Sequence, residues 1–353
     1  MDKISNKVFL SIIVPVYNNR QGDLLRCLKS LSDETGEVKY EIILVDDGSK
    51  RDCAIFLDET SRNNNHISVI HQTNQGPAIA RNTGLKAASG KYILFVDADD
   101  IVPKQFWYDL HNIALQNYDF DVVYGLVQLK SIKNNITKTD TISRNLQIKN
   151  IDQVNYKKLY RHMIDLGVRE FNCSQGHISR GPIARLVSKE LAVCHPFNSS
   201  LFYGEDQIWN LDLLNNAKKI GIVSHCWYYY IENPNSITHN PDPRYIEWRI
   251  ALIKTLSKYI CGPRLGIAFG NRIFESLNEI AKTMYLPTLN KKNFWEKVSE
   301  FGYLSHMYPF NSIPNEYLFG GVKPFLKWLM YKTKTLIIGF ELNYIIHKVK
   351  KRK

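Results

Sequence analysis

The sequence predicts an α/β fold in which a parallel sheet is wrapped by helices. Three observations carry this reading. Apolar runs of strand length recur between residues 9 and 129, segments of helical period separate them, and the runs are apolar on both faces, as strands covered on both sides must be. With 353 residues, 44% hydrophobic and 23% charged, the chain has material for two domains, or for one large domain with an appendage.

The elements follow in order. "FLSIIVPVY" is the first strand, with a helix over 22–32 behind it; "YEIILVDD" is the second, followed by a helix over 51–63. "ISVIHQ" is the third, and the helix over 77–89 opens on Gly76 and Pro77, since proline suits a first helical turn. "KYILFVDADD" is the fourth strand and its end. The polar, aperiodic stretch 130–145 reads as a loop or flap, and a helix is expected over 152–166. "GEDQIWNLDLL" begins a further helix whose buried side is Ile208, Leu211 and Leu214, and "IGIVSHCWYYYI" is strand-like. Pro234, Pro241 and Pro243 interrupt regular structure, and helical patterns dominate from Asp242 onward, so the domains are expected at 1–240 and 241–353.

The net charge of +12 is concentrated late: residues 241–353 hold 19 Lys and Arg against 8 Asp and Glu. Nucleic acid, an anionic membrane surface and an anionic substrate are each compatible with that surplus. The six cysteines are scattered without a CxxC pair, which argues against a zinc site or a disulfide framework and for buried thiols in a reducing compartment. The opening "MDKISNKVFLSIIVPVYNN" has a short, strand-like apolar stretch without a small-residue cleavage site, so it does not read as a signal peptide.

In open α/β sheets ligands bind beyond the carboxyl ends of the strands, and the chemically loaded stretches lie there. "VDDGS" places Asp46 and Asp47 at one strand end: an ordinary capped loop, or carboxylates accepting hydrogen bonds from a base or ribose. Arg81, one turn into its helix, stands near a positive helix end where it can help with a phosphate. "DADD" packs Asp97, Asp99 and Asp100 into four positions. Oxygen-rich strand ends suit Mg²⁺ or Mn²⁺, which keep several waters and bind through one or two carboxylates plus phosphates. Asp97 and Asp99 would diverge on a continuing strand, so the chain must turn at Ala98 for both to reach one ion. Glu205 and Asp206 at a helix start either complement its dipole or supply a general base. His239 is a candidate further metal ligand; His225, inside an apolar stretch, reads as core.

Taken together, "SIIVPVYNN", "EIILVDDGS", "NQGPAIARNTGLKAASGKYILFVDADD" and "GEDQIWNLDLL", in that order, resemble the family 2 glycosyltransferases, inverting enzymes of the Rossmann-like GT-A fold. The resemblance covers residues 9–240. It implies a nucleotide site at Pro15, Tyr17, Asp46, Asp47, Arg81 and Asp97, with Tyr17 stacked on the base. It implies a metal site at Asp97 and Asp99 for Mn²⁺ or Mg²⁺, the pair of the DxD motif, with Asp97 leaning toward the ribose. It makes Asp206 the catalytic base and Glu205 the residue that holds the acceptor. The implied donor is a nucleotide sugar, with UDP as nucleotide, and the implied acceptor a hydroxyl of a saccharide or lipid-linked oligosaccharide in surface polysaccharide synthesis. Arg185 stands where relatives often have a Lys, which leaves its role open, and Ile231 and Glu232 stand where many have an Arg, so that contact is not carried over.

The last segment, 320–353, holds nine basic residues against Glu341 alone. At about 100° per residue, Val322, Phe325, Leu326, Leu329, Leu336, Ile337 and Phe340 form one stripe flanked by Lys323, Lys327 and Lys334. Such a basic amphipathic helix is expected to lie on the cytoplasmic membrane face without crossing it, or else to pack its stripe on the protein. The helical third is also a candidate homodimer contact. Two other classes would leave different marks in the sequence. A nucleotidyltransferase would show a Gly-rich basic phosphate loop after its first strand, which "VPVYNNRQGD" lacks. A nucleic-acid-binding protein would use the basic third and leave four acidic motifs without a role, so no nucleic-acid partner is expected.

Overall fold

A computed structural model describes residues 7–32, 38–130, 142–166, 171–232, 244–285, 293–315, 317, 321–332 and 336. The chain falls into two compact units: Met1–Leu159 with Glu170–Asn233, and Tyr160–Arg169 with Pro234–Lys353.

In the first unit the elements run β1 (Leu10–Val16), α1 (Gln21–Ser30), β2 (Tyr40–Asp47), α2 (Arg51–Arg62), β3 (Ile67–Gln72), α3 (Pro77–Ala87), β4 (Tyr92–Phe95), α4 (Lys104–Leu115), β5 (Val122–Lys130) and β6 (Ile148–Asn150). After α5 (Gln153–Ile164), which leads out of this unit, come β7 (Asn172–Cys173), β8 (Gly176–His177), β9 (Arg185–Ser188), α6 (Lys189–Cys194), α7 (Glu205–Asn216) and β10 (Ile220–Ile231). The main sheet has the order β3-β2-β1-β4-β9-β5-β10-β6.

The first four strands pair in parallel, as their apolar runs predict, and Ile12, Ile13 and Val14 are wholly buried between helical layers. The sheet is not parallel throughout. β9 inserts antiparallel between β4 and β5, so the expectation of a parallel sheet holds for one half and is corrected to a mixed sheet overall. β10 runs parallel to β5 and passes Gly125 under the Trp227 ring, so close that an added Cβ would lie 2.3 Å from it. Only glycine fits that crossing.

The thiols divide. Cys27 and Cys53 are buried, as expected of all six, but Cys173, Cys194 and Cys261 are exposed. Burial beside the acidic turn, chiefly through desolvation and then repulsion from Asp100, Asp99 and Asp97, pushes the Cys27 thiol far up.

The second unit is helical, with α8 (Tyr245–Leu256), α9 (Pro263–Ile280), α10 (Phe294–His306) and α11 (Val322–Lys332). Its core includes Leu252, Phe274, Leu277, Phe301 and Tyr317. Asn271 ties it together, donating to Asp165 Oδ2 at 2.8 Å and accepting from the Tyr317 hydroxyl at 3.1 Å. Asn293 and Glu296 close a reciprocal capping box at the start of α10. Of the stripe expected in the last segment, Leu336 is buried, whereas Phe325, Leu326 and Leu329 are 43–50% exposed; Tyr331, outside that stripe, is buried as well. Among the described residues no helix is long and apolar enough to cross a membrane.

Candidate active site

β4 ends at Phe95, and the chain turns over Ala98 and Asp99, closed by Asp100 N–H donating to Asp97 O at 3.1 Å. This is the turn that the acidic run requires, and it sends its carboxylates to different places. Asp97 keeps a 36% exposed side chain. Asp100 is 1% exposed and accepts from the Tyr228 hydroxyl and from Ile231 N–H, both at 2.8 Å. Burial, then repulsion from Asp97, pushes the Asp100 carboxyl up to about 8. The third acid is therefore a buried strut, and β10 carries its partners. The Tyr228 oxygen also accepts from Asp97 N–H at 3.0 Å, so one hydroxyl pins both ends of the turn. Asp99 lends its main-chain oxygen to Arg26 Nη2 at 3.0 Å.

Arg81 is 7% exposed on α3. Its Nη1 meets Glu205 Oε1 at 3.0 Å, its Nη2 meets Asp97 Oδ1 at 3.3 Å, and its guanidinium lies 5.4 Å from the centre of the Phe197 ring. Burial alone would lower its pKa, yet attraction from Asp97, Glu205 and Asp206 leaves it raised, so the cation is secure.

Gly204, at φ 78° in the left-handed region, turns the chain into α7 and sets Glu205 and Asp206 on its first turn. Their environments differ. Glu205 is 8% exposed and faces Arg81; burial and then repulsion from Asp206 push its carboxyl up to about 7. Asp206 opens onto a cleft of about 370 Å³ shared with Arg81, Asp97, His177, Ser179 and Tyr230. Its Oδ1 accepts Gln207 N–H at 2.7 Å. Desolvation raises its pKa, opposed first by Arg81, which suits a base that must take up a proton.

Asp46 and Asp47 end β2 and are 2% and 4% exposed. Asp46 accepts Ser49 N–H at 2.9 Å and pairs with His71 Nδ1 at 2.7 Å, and His71 Nε2 reaches Asp58 at 3.1 Å. Asp47 accepts Gln72 Nε2 at 2.7 Å, Gln75 N–H at 2.8 Å and Gly76 N–H at 2.9 Å. It thereby anchors the loop that enters α3 and carries Arg81. Gly48, at φ 76°, has no room for a Cβ, which would sit 2.7 Å from Asn74 N. Tyr17 is 49% exposed just past β1, and its loop is laced to the Asp46–Ser49 loop through Asn18, which accepts Lys50 N–H at 2.8 Å and donates its own N–H to Ser49 Oγ at 3.0 Å.

Of the residues expected at the site, Arg81, Asp97 and Asp206 line one cleft. Pro15, Tyr17, Asp46 and Asp47 lie on the β1 and β2 side and Glu205 behind Arg81, while His239 lies outside the described residues. His225 is largely buried, as core, with Nδ1 2.9 Å from Asp109. Sequence reasoning missed His177, Ser179 and Tyr230, which reach the cleft from β8, the following loop and β10.

Among the described residues no three His, Cys, Asp or Glu side chains stand together as a metal centre. The residues present still fit a hard divalent ion. Asp97, part-exposed, and Asp99, on the adjoining turn, offer carboxylate oxygens, a donor set suited to an ion that takes its remaining ligands from phosphates and water.

Residues 11–172 match the sequence signature described as glycosyl transferase family 2. They are a glycosyl transferase family 2 domain. The chain is 30% identical over 232 residues to the uncharacterized glycosyltransferase EpsJ of Bacillus subtilis, covering 66% of this chain and 63% of the relative. It is 30% identical over 228 residues to the poly(ribitol-phosphate) beta-glucosyltransferase of Bacillus spizizenii, covering 63% of this chain and 32% of the relative. The chain thus spans less than two thirds of the length of these relatives. Among solved structures, residues 1–349 of Staphylococcus aureus TarS superpose with a TM-score of 0.59 at 19% identity over 96% of this chain and 92% of that one, which shows the GT-A fold in common. TarS 1–349 has also been solved in complex with UDP-GlcNAc and with UDP.

Proposed function

We propose that this chain is an inverting glycosyltransferase that moves a sugar from a nucleotide sugar, with UDP as the nucleotide, to a hydroxyl of a saccharide or lipid-linked saccharide during bacterial surface polysaccharide synthesis. One observation carries the reading: an acid of the DxD turn, Asp97, and a carboxylate of raised pKa, Asp206, open onto the same cleft with a buried arginine between them. The family 2 domain and the UDP complexes of TarS support the donor class.

On this reading Asp206 removes the proton of the acceptor hydroxyl as that oxygen attacks the anomeric carbon from the face opposite the diphosphate, inverting it in one displacement. Asp97 and Asp99 hold Mn²⁺ or Mg²⁺, which when bound offsets charge on the departing nucleoside diphosphate. Arg81, locked by Glu205, keeps the acids from repelling one another and presents positive charge on the donor side. Tyr17 supplies a ring for the base and Asp47 a carboxylate beside it. His239 is proposed as a further ligand. Residues 1–240 form the catalytic domain and 241–353 the helical region, whose half-exposed Phe325, Leu326 and Leu329 beside Lys323 and Lys332 favour attachment to an anionic membrane surface from the cytoplasmic side.

Calorimetry with UDP-glucose and UDP-N-acetylglucosamine, with and without Mn²⁺, tests the class, the donor and the metal together. Saturable binding of either that strengthens with Mn²⁺ is the expected result; no binding of either in its presence would remove the assignment.

A further inference from the structure

Arg185 opens β9 with its side chain wholly inside the first unit, 1% exposed. Arginine keeps its charge under ordinary conditions, so a buried guanidinium must be met by strong acceptors. Here those acceptors are main-chain carbonyls of a single loop. Nε donates to Ile183 O at 3.2 Å, and Nη2 donates to Ser179 O at 2.8 Å and to Gly181 O. The Tyr124 ring lies 4.8 Å from the guanidinium carbon and limits where the fork can move.

Asn210 also holds the same loop through main-chain carbonyls. It is fully buried, one helical turn after Asp206 on α7, and its Nδ2 donates to Arg180 O, to Gly181 O at 3.3 Å and to Asp206 O at 2.9 Å. The loop braces itself as well, since Ser179 Oγ accepts Gly181 N–H at 2.9 Å. Its other side faces the cleft: Ser179, Gly181, Pro182 and Ile183 all line it beside Asp206. A Cβ built on Gly181 would come within 3.8 Å of Asp206 Oδ2, so the loop backbone at Gly181 runs one side-chain atom short of contact with the carboxylate that the proposed reaction uses.

We propose that Arg185 and Asn210 are positioning residues that clamp the Ser179–Ile183 loop against Asp206 as the acceptor-side wall of the cleft, so that a sugar hydroxyl rather than water is presented to the base. The proposal rests on the reading of Asp206 as that base. The bonding pattern uses the arginine fork: Nε serves Ile183 while Nη2 serves Ser179 and Gly181, so two nitrogens fixed in one plane hold the loop, which the single nitrogen of a lysine does not reproduce.

The experiment compares the wild type with Arg185→Gln, Arg185→Lys and Asn210→Ala. Three readings are taken: hydrogen exchange of peptides covering 176–184, affinity for UDP with Mn²⁺, and transfer from UDP-glucose or UDP-N-acetylglucosamine to methyl β-glycosides as acceptor probes. Arg185→Gln and Asn210→Ala should speed exchange in 176–184 about tenfold while β1 and β4 stay protected. Affinity for UDP should stay within about twofold, the acceptor KM should rise about tenfold with kcat little changed, and Arg185→Lys should recover part of both losses. If no methyl glycoside is turned over, exchange decides. Unchanged exchange in 176–184, or a loss of UDP affinity as large as the rise in acceptor KM, would overturn the proposal. A wild-type chain that binds no UDP would overturn the functional reading and the acceptor role with it, and protected 176–184 amides would mark that outcome as distinct from failure of the clamp.

Discussion

Arg81 and Glu205 stand 124 positions apart in the chain and meet in a 3.0 Å ion pair whose side chains are 9% and 10% exposed. The same guanidinium reaches Asp97, and it is the largest attraction felt by Asp206, so one cation balances three acids. Removing one partner of a buried pair leaves an uncompensated charge, and here three would face one another. Arg81→Ala should therefore lower the unfolding free energy by roughly 3–5 kcal/mol in urea titrations at pH 7. Glu205→Gln, which still offers Arg81 an oxygen, should cost much less. Equal losses would show that the Glu205 charge matters as much as the Arg81 cation and would overturn the view that one cation holds the three acids.

Asp206 differs from Glu205 in opening onto the cleft. Asp206→Asn preserves shape and removes the proposed proton acceptor. Transfer should fall by about 10²–10⁴-fold, while calorimetric affinity for the sugar nucleotide changes less than threefold. Full transfer by the variant would dismiss Asp206 as the base.

Tyr228 joins Asp97 N–H to Asp100 through a single oxygen. Tyr228→Phe deletes both bonds and leaves the buried Asp100 held by Ile231 N–H. A loss of about 1–3 kcal/mol in stability is expected, as for a buried acceptor that loses its partner. The turn should also loosen, so Mn²⁺-dependent donor affinity falls while metal-free affinity is little changed. The ratio of the two affinities, measured by titration, checks this.

The sequence revealed the parts of this structure that are local. β1, β2 and β4 are built on apolar stretches, β3 is half polar, and each helix from α1 to α3 repeats with its own period, so these elements need no distant information to be read. The turn over Ala98 and Asp99 was legible because a continuing strand would set Asp97 and Asp99 on opposite faces. What was not legible depends on pairing across long separations. β9 is four residues long and becomes a strand because β4 and β5 leave a gap for it. Asp100 differs from Asp97 only through Tyr228 and Ile231, about 130 positions later. Arg185, whose role the sequence leaves open, bonds carbonyls of Ile183 and Ser179 that a sequence does not display.

Glu41 supplies a pH test away from the cleft. It accepts Ser11 Oγ at 2.6 Å, Ser89 N–H at 2.7 Å and Ser89 Oγ at 2.8 Å, tying β2 to β1 and to the residues that lead into β4. Burial raises its pKa, but these bonds outweigh it and hold the carboxyl below its ordinary 4.5. A carboxyl depressed in the folded state stabilises fully above its unfolded pKa and loses that contribution as pH falls through the folded value. Wild type should be more stable than Glu41→Gln at pH 7, and the gap should close as the pH is taken well below 4.5. A gap that stays constant in urea titrations across that range would break the link.

The basic end of the chain can be tested without removing it. Tyr331 and Leu336 are buried, so cutting the chain before α11 would damage the second unit as well as any membrane contact. Phe325, Leu326 and Leu329, in contrast, are half-exposed on α11. Replacing all three by Ser leaves Tyr331, Leu336 and every lysine in place. In flotation with anionic liposomes the wild type should rise with the vesicles, and the triple variant should bind about tenfold more weakly, since the apolar area that enters the interface is gone. Raising the salt should weaken the wild type as well, because the lysines contribute attraction that is screened within a Debye length. Equal flotation of both proteins would assign any membrane contact to another surface.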